Sequence, residues 1–204
     1  LPPIGGLAIS DSAVRFILIQ GSDRILAGSL RLPPGMVSDG KVADAPGLRA
    51  ALAQLHAQVD PKRRPMHVVL TLPPGDVYMQ TFSIPAVAAD VLDEAARLNL
   101  QMISPIDFAL AYASWQPVGE LAPAPGGAIE LLGAFAEAAV VDAFTAAATA
   151  AGFAITAVEL PALSMARAIR DASSPEVDSQ LIIDIAADGI TFLVLKRRDL
   201  FFNH

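Results

Sequence analysis

Apolar runs rich in β-branched residues open the chain at Gly6–Ser10 and Val14–Gln20, with the polar pair Asp11-Ser12 between them. Gly21-Ser22-Asp23 then turns into a third run, Ile25–Leu32. Connections this short join neighbouring antiparallel strands, so the pattern predicts a three-stranded meander. A loop dense in proline, glycine and aspartate, "LPPGMVSDGKVAD", follows. The period then changes. Leu48, Leu52, Leu55 and Val59 recur at helical spacing, which predicts a helix over Ala45–Val59 with Asp44 as its cap and Pro46 in its first turn.

The middle of the chain reads as strand, strand, helix, strand, strand. Met66–Leu72 and Val77–Ile84 flank the turn composition Pro73-Pro-Gly-Asp76. A helix is expected from about Ala86 to Ile103, with Val91, Ala95, Leu98 and Met102 on its apolar face, and Ser104-Pro105 ends it. Strands near Leu110–Pro117 and Ala128–Ala136 complete an α+β insert. In the last third, helices are expected over Glu137–Ala151 and Pro161–Asp171, around a strand at Ile155–Leu160. A second hairpin, "LIIDIAADGITFLVLK", leads to a strand starting at Leu200. This hairpin echoes "GLAISDSAVRFILIQ" at the start, and two such turns facing each other would line one cleft. The chain stops at His204, just after that strand begins, as expected if a C-terminal half is absent.

Composition narrows the functions open to such a chain. Of its 204 residues 53% are hydrophobic and 17% charged, enough apolar surface for a packed core. A formal charge of −7 argues against a general nucleic-acid binder, and the runs Lys62-Arg-Arg64 and Lys196-Arg-Arg198 read as solvated turns. Cysteine is absent, so there is no disulfide framework and no thiolate metal site. His56, His67 and His204 lack metal-ligand spacing and read as surface or half-buried residues. Asp90, Asp93 and Glu94 read as first-turn helix carboxylates favoured by the dipole. Ser12 and Ser164 have no supporting histidine, and Phe108, Tyr112 and Trp115 read as core or subdomain-face residues. No catalytic residue is assigned.

The order of these segments resembles the actin-like fold, and within it the PilM-like type IV pilus assembly proteins. "GLAISDSAVR" stands where that family has a Gly-hydrophobic-Asp-hydrophobic-Gly turn, and "LPPGMVSDGKVAD" resembles its Leu-Pro-Pro-Gly loop. "VVLTLPPGDVYMQTFSIP" and "ISPIDFALAYASWQPVG" resemble the SHS2-like insert shared with the cell-division protein FtsA. "AAGFAITAVELPALSMARAI" and "LIIDIAADGITFLVLKRRDLFF" resemble the return to the main fold and its second phosphate hairpin. The implied fold is α/β: an actin-like (ribonuclease H-like) subdomain over 1–64, an inserted α+β subdomain over 65–136, and a truncated return over 137–204.

The resemblance implies a cytoplasmic scaffold at the inner face of the inner membrane. Such a scaffold would bind the N-terminal tail of a single-span pilus or secretion protein in a groove whose candidate wall here is Leu98, Met102 and Ile103. Those three side chains read first as subdomain core, in which case charge at Met102 would unfold the insert. Alternatives are a type II secretion platform component like GspL, or an active actin-like ATPase. The family's phosphate turns map onto Ser10, Asp11 and Ser12 and onto Asp184, Ala187 and Asp188. Ala8 replaces the first aspartate, while Ser10 and Ala186 replace glycines, so ATP with magnesium is expected only if the absent C-terminal half restores it.

Overall fold

The computed structural model describes residues 2–21, 24–73, 75, 77–118, 127–172, 179–186, 189–196 and 199–203. Two compact units divide the chain: residues 1–76 with 139–164, and residues 77–138 with 165–204.

The first unit is built on a five-stranded sheet. Strands β1 (Ile4–Ile9), β2 (Ala13–Gln20) and β3 (Arg24–Arg31) form the expected antiparallel meander. The loop after β3 holds a small ladder, β4 (Val37–Ser38) and β5 (Lys41–Val42), closed by Asp39 and Gly40, both at positive φ. Two left-handed residues in a row are what a two-residue hairpin needs, and Asp-Gly meets that need with little strain. Helix α1 (Ala45–Val59) begins where expected, the Asp44 carboxylate accepting the Gly47 N–H at 3.0 Å. It returns the chain to β6 (Met66–Thr71), which lies parallel to β1.

This parallel pairing corrects the boundary expected at residue 65. Val68 and Leu70 are fully buried beside β1, so β6 belongs to the main sheet and the insert starts after residue 76. One face of the sheet buries Leu7, Phe16, Val68 and Leu70 with Leu48, Leu52 and Leu55 of α1. Gly28 of β3 is required there. A Cβ would stand 2.7 Å from Val59 and 2.8 Å from Leu55, so α1 settles on the strand only because no side chain intervenes.

The insert is a three-stranded antiparallel sheet of β7 (Val77–Pro85), β8 (Ala111–Pro117) and β9 (Ala128–Glu137), in the order β7-β9-β8. Helix α2 (Leu92–Ile103) and a 3-10 turn (Phe108–Leu110) precede β8. The helix starts six residues later than expected. Ala86 still donates to Gly127 across the sheet, and Val91 N–H closes a turn on Ala88 before the helix begins. Its end follows expectation, Ser104 taking the extended ψ of 126° that proline imposes on the residue before it.

Helix α3 (Ala138–Ala150) stops near Gly152 at φ 101°, and β10 (Phe153–Glu159) joins the main sheet parallel to β6. A bulge falls between Ile155 and Ala157, and the Thr156 hydroxyl bonds the Val68 carbonyl at 2.9 Å. The sheet order is therefore β10-β6-β1-β2-β3. Helix α4 (Pro161–Ala172) leads into a second antiparallel sheet of β11 (Ser179–Ala186), β12 (Gly189–Lys196) and β13 (Asp199–Asn203).

His56 departs from the surface reading. It is 2% exposed, stands edge-on to Phe153 with centroids 5.0 Å apart, and bonds the Arg64 carbonyl at 3.0 Å. In the nearby basic run, Arg64 hydrogen-bonds Asp60, which caps the end of α1.

Candidate functional site

The first turn is occupied by one of its own side chains. Strands β1 and β2 end at Ser10, whose N–H bonds the Ala13 carbonyl at 2.9 Å and closes the hairpin. The Ser10 hydroxyl oxygen then accepts the backbone N–H groups of Ser12 at 3.4 Å and Ala13 at 3.2 Å. A phosphate-binding turn works by leaving such N–H groups free to converge on an anion. Here two of the turn's N–H groups already point at the Ser10 oxygen. Its neighbour Asp11 is also engaged, accepting the Gly40 N–H at 3.4 Å.

Gly40 links this turn to a third loop. A Cβ on Gly75 would stand 2.6 Å from the Gly40 Cα and 2.9 Å from the Asp39 carbonyl oxygen. Within the first unit, the turn at 10–12 thus reaches the hairpin tip at 39–40 through the Asp11 carboxylate, and that tip meets the loop at residue 75 backbone to backbone. Of the second phosphate turn, Asp184 lies near the end of β11, opposite Thr191 of β12. Ala187 and Asp188 lie outside the described residues.

Other polar candidates have structural partners. The Trp115 indole N–H donates to Asp93 at 3.1 Å, tying the first turn of α2 to β8. Ser164 donates to a Glu159 oxygen at 2.9 Å and stands 3.5 Å from the Thr71 hydroxyl. Among the described residues no cluster of three histidines or carboxylates could hold a metal ion. No helix among them is long and apolar enough to cross a membrane.

The candidate peptide wall on α2 is exposed, which overturns its reading as core. Leu98 is 57% and Met102 75% exposed, and Ile103 is half-buried. The helix packs through Ala96 and Leu100, next to Ile84, Ile129 and Leu131, with Leu92, Ala95 and Trp115 at the margin. Leu100 reaches the sheet at Gly133, where a Cβ would meet its Cδ2 at 2.5 Å. Of the apolar face that periodicity predicts (Val91, Ala95, Leu98 and Met102), only Ala95 packs against the buried cluster, while Val91, Leu98 and Met102 are exposed. The helix carries two apolar stripes, and spacing alone does not say which one meets the sheet.

Sequence reasoning missed two features. One is the Ser10 hydroxyl bonding, whose only signal was a serine at a glycine position. The other is the outer face of the main sheet, where Ile4, Ile17, Ile19 and Ile25 are about half exposed or more. An open depression of about 680 Å³ on the sheet is lined by residues including Gly6, Ala8, Arg15, Ile17, Ala27 and Ser29.

No family model and no curated protein matches this sequence. Among solved structures, the PilM–PilN type IV pilus biogenesis complex contains a chain that superposes with a TM-score of 0.84 over 98% of this chain, at 20% identity. A Bacteroides thetaiotaomicron protein described as having the actin-like ATPase fold superposes at 0.54 over 98% of this chain, at 8% identity. This chain has the actin-like fold. The cytoplasmic domain of EpsL, an inner-membrane component of the Vibrio cholerae type II secretion system, shares the likeness at 0.58, 16% identity and 95% coverage. The actin-like chain described here spans 60% of the length of the pilus protein and 67% of the EpsL domain. At these identities the likeness is one of fold.

Proposed function

We propose that this chain is a non-enzymatic scaffold of a type IV pilus assembly machine, holding the short cytoplasmic tail of an inner-membrane partner from the cytoplasmic side. The likeness to the chain from the PilM–PilN complex carries the reading, because it extends over 98% of the chain. The exposed stripe on α2 supports it. Leu98 and Met102 offer a partner apolar surface the insert does not use for its own core. The Ser10 bonds support the absence of ATPase activity, since the amides that would cradle a phosphate already have an acceptor.

The test is titration of this chain with a synthetic peptide of the N-terminal tail of the PilN-like protein from the same organism. Binding at micromolar Kd is expected. Met102→Glu is expected to weaken it about tenfold, about 1.4 kcal/mol, with unchanged thermal unfolding. Lack of binding by the unaltered chain removes the reading. The likeness to the EpsL domain favours a second reading, a type II secretion platform component. Co-purification with a secretion ATPase in place of a pilus protein would select it.

A further inference from the structure

We propose that Met102 is an oxidation site, at which a peroxide converts the thioether to a sulfoxide and thereby weakens the hold of α2 on its partner's tail. The proposal rests on the pilus reading for its partner and on separate observations for its chemistry. The chain has five methionines and no cysteine, so thioethers are its only sulfur groups. They differ in access. Met66 is 8% exposed, and Met36, Met79 and Met165 are half-buried. Met102 is 75% exposed, on the last turn of α2. An oxidant arriving from solvent therefore meets Met102 first, because groups of the same chemistry differ in susceptibility through their exposure.

The reaction consumes a peroxide and needs no other group. A sulfur lone pair attacks one peroxide oxygen, and an S–O bond forms as the O–O bond breaks. The departing hydroxide takes the proton of the transferred oxygen and leaves as water. Sulfur is oxidised by two electrons and the peroxide is reduced by two. The product puts a polar S–O dipole where a soft apolar group stood.

Position gives that change its effect. Val91, Leu98 and Met102 follow one another at helical spacing along the exposed side of α2, and Met102 is the most exposed of the three. A sulfoxide there adds an oxygen acceptor to the apolar stripe. A partner that covers it must bury that oxygen or stand off, and either costs affinity. The fold is not drawn in, because α2 is held to its sheet by Ala96 and Leu100. A sulfoxide at Met66 would instead enter the core of the main sheet and unfold it. Exposure serves the return step as well. A reductase can reach the sulfoxide at Met102 without opening the insert, so the change is reversible.

The experiment treats the 204-residue chain with hydrogen peroxide, stops the reaction with catalase and maps each methionine by mass spectrometry. The synthetic tail peptide of the PilN-like protein is then titrated. Met102 sulfoxide is expected to accumulate several-fold faster than sulfoxide at any other methionine. Once Met102 is fully oxidised the Kd should rise about tenfold with thermal unfolding unchanged, and methionine sulfoxide reductase should restore it. In Met102→Leu the same treatment should shift that variant's own Kd by less than about twofold, since no thioether is left on the stripe. The proposal is overturned if another methionine is oxidised first, or if the oxidised chain binds as tightly as the untreated one. It is equally overturned if the oxidised chain unfolds, or if Met102→Leu responds to peroxide as the unaltered chain does. An untreated chain that does not bind the peptide removes the pilus reading and this switch with it, whereas tight binding that survives oxidation removes the switch alone.

Discussion

Two side chains carry residue-scale consequences that can be measured. The Ser10 hydroxyl accepts two amides at 3.2 and 3.4 Å, so Ser10→Ala leaves both without that acceptor. These bonds are long, and the loss is expected to be about 1 kcal/mol, read as a lower urea midpoint at unchanged slope. Asp60 is the second. Its carboxylate accepts the Arg64 Nε–H at 3.0 Å and the backbone N–H groups of Lys62 and Arg64 at 3.3 and 3.0 Å. The Arg64 side-chain bond is the chief cause that lowers its pKa to about 2. A carboxyl whose folded pKa lies below its unfolded value stabilises the fold fully above the unfolded pKa, about 3.9. That contribution is lost as pH falls toward 2. Asp60→Asn should therefore lower the Tm at pH 7, and the gap from the unaltered chain should close between about pH 4 and pH 2. A gap independent of pH would show that Asp60 acts through shape and not through charge.

At the scale of elements, α2 offers the sharpest contrast. Leu100 is 2% exposed and Met102 75%, only two residues apart on one helix. Leu100→Ala should cost about 2–4 kcal/mol, whereas Met102→Ala should stay within about 0.5 kcal/mol. Equal losses would mean that the helix is rotated relative to the packing described above. The same helix marks where sequence legibility ended. The meander, α1 and the Ser104-Pro105 stop were readable because Asp11-Ser12, Asp44 and Pro105 act locally, each through a turn, a cap or a steric restriction. Which stripe of α2 is buried depends on β7 and β9, which lie on either side of it in sequence. The placement of β6 was misread for a related reason. Val68 and Leu70 make an acceptable strand in either sheet, and only the return through α1 to β1 decides between them. Ser10 was legible as a departure from glycine, but not as an acceptor for its own turn, because that depends on a rotamer.

For the whole molecule, the acidic balance and the first turn set two expectations. The sequence pI is about 4.8, so solubility at low salt should pass through a minimum near that pH. Magnesium-ATP at millimolar concentration should leave the Tm unchanged, since a ligand of the native state must raise it by mass action. A magnesium-dependent rise would restore the ATPase reading. The contact between Gly40 and Gly75 bears on descent as well as on folding. A Cβ at residue 75 would stand 2.6 Å from the Gly40 Cα, and one at residue 40 would likewise meet the backbone of Gly75. Neither obstacle is a flexible side chain that can swing aside, so a single replacement at either position is closed as an evolutionary step. Lineages carrying this loop should keep both glycines or replace them together with a change in loop length. Since residue 75 lies just before the chain enters the insert, that pair fixes the point from which the chain leaves the first unit.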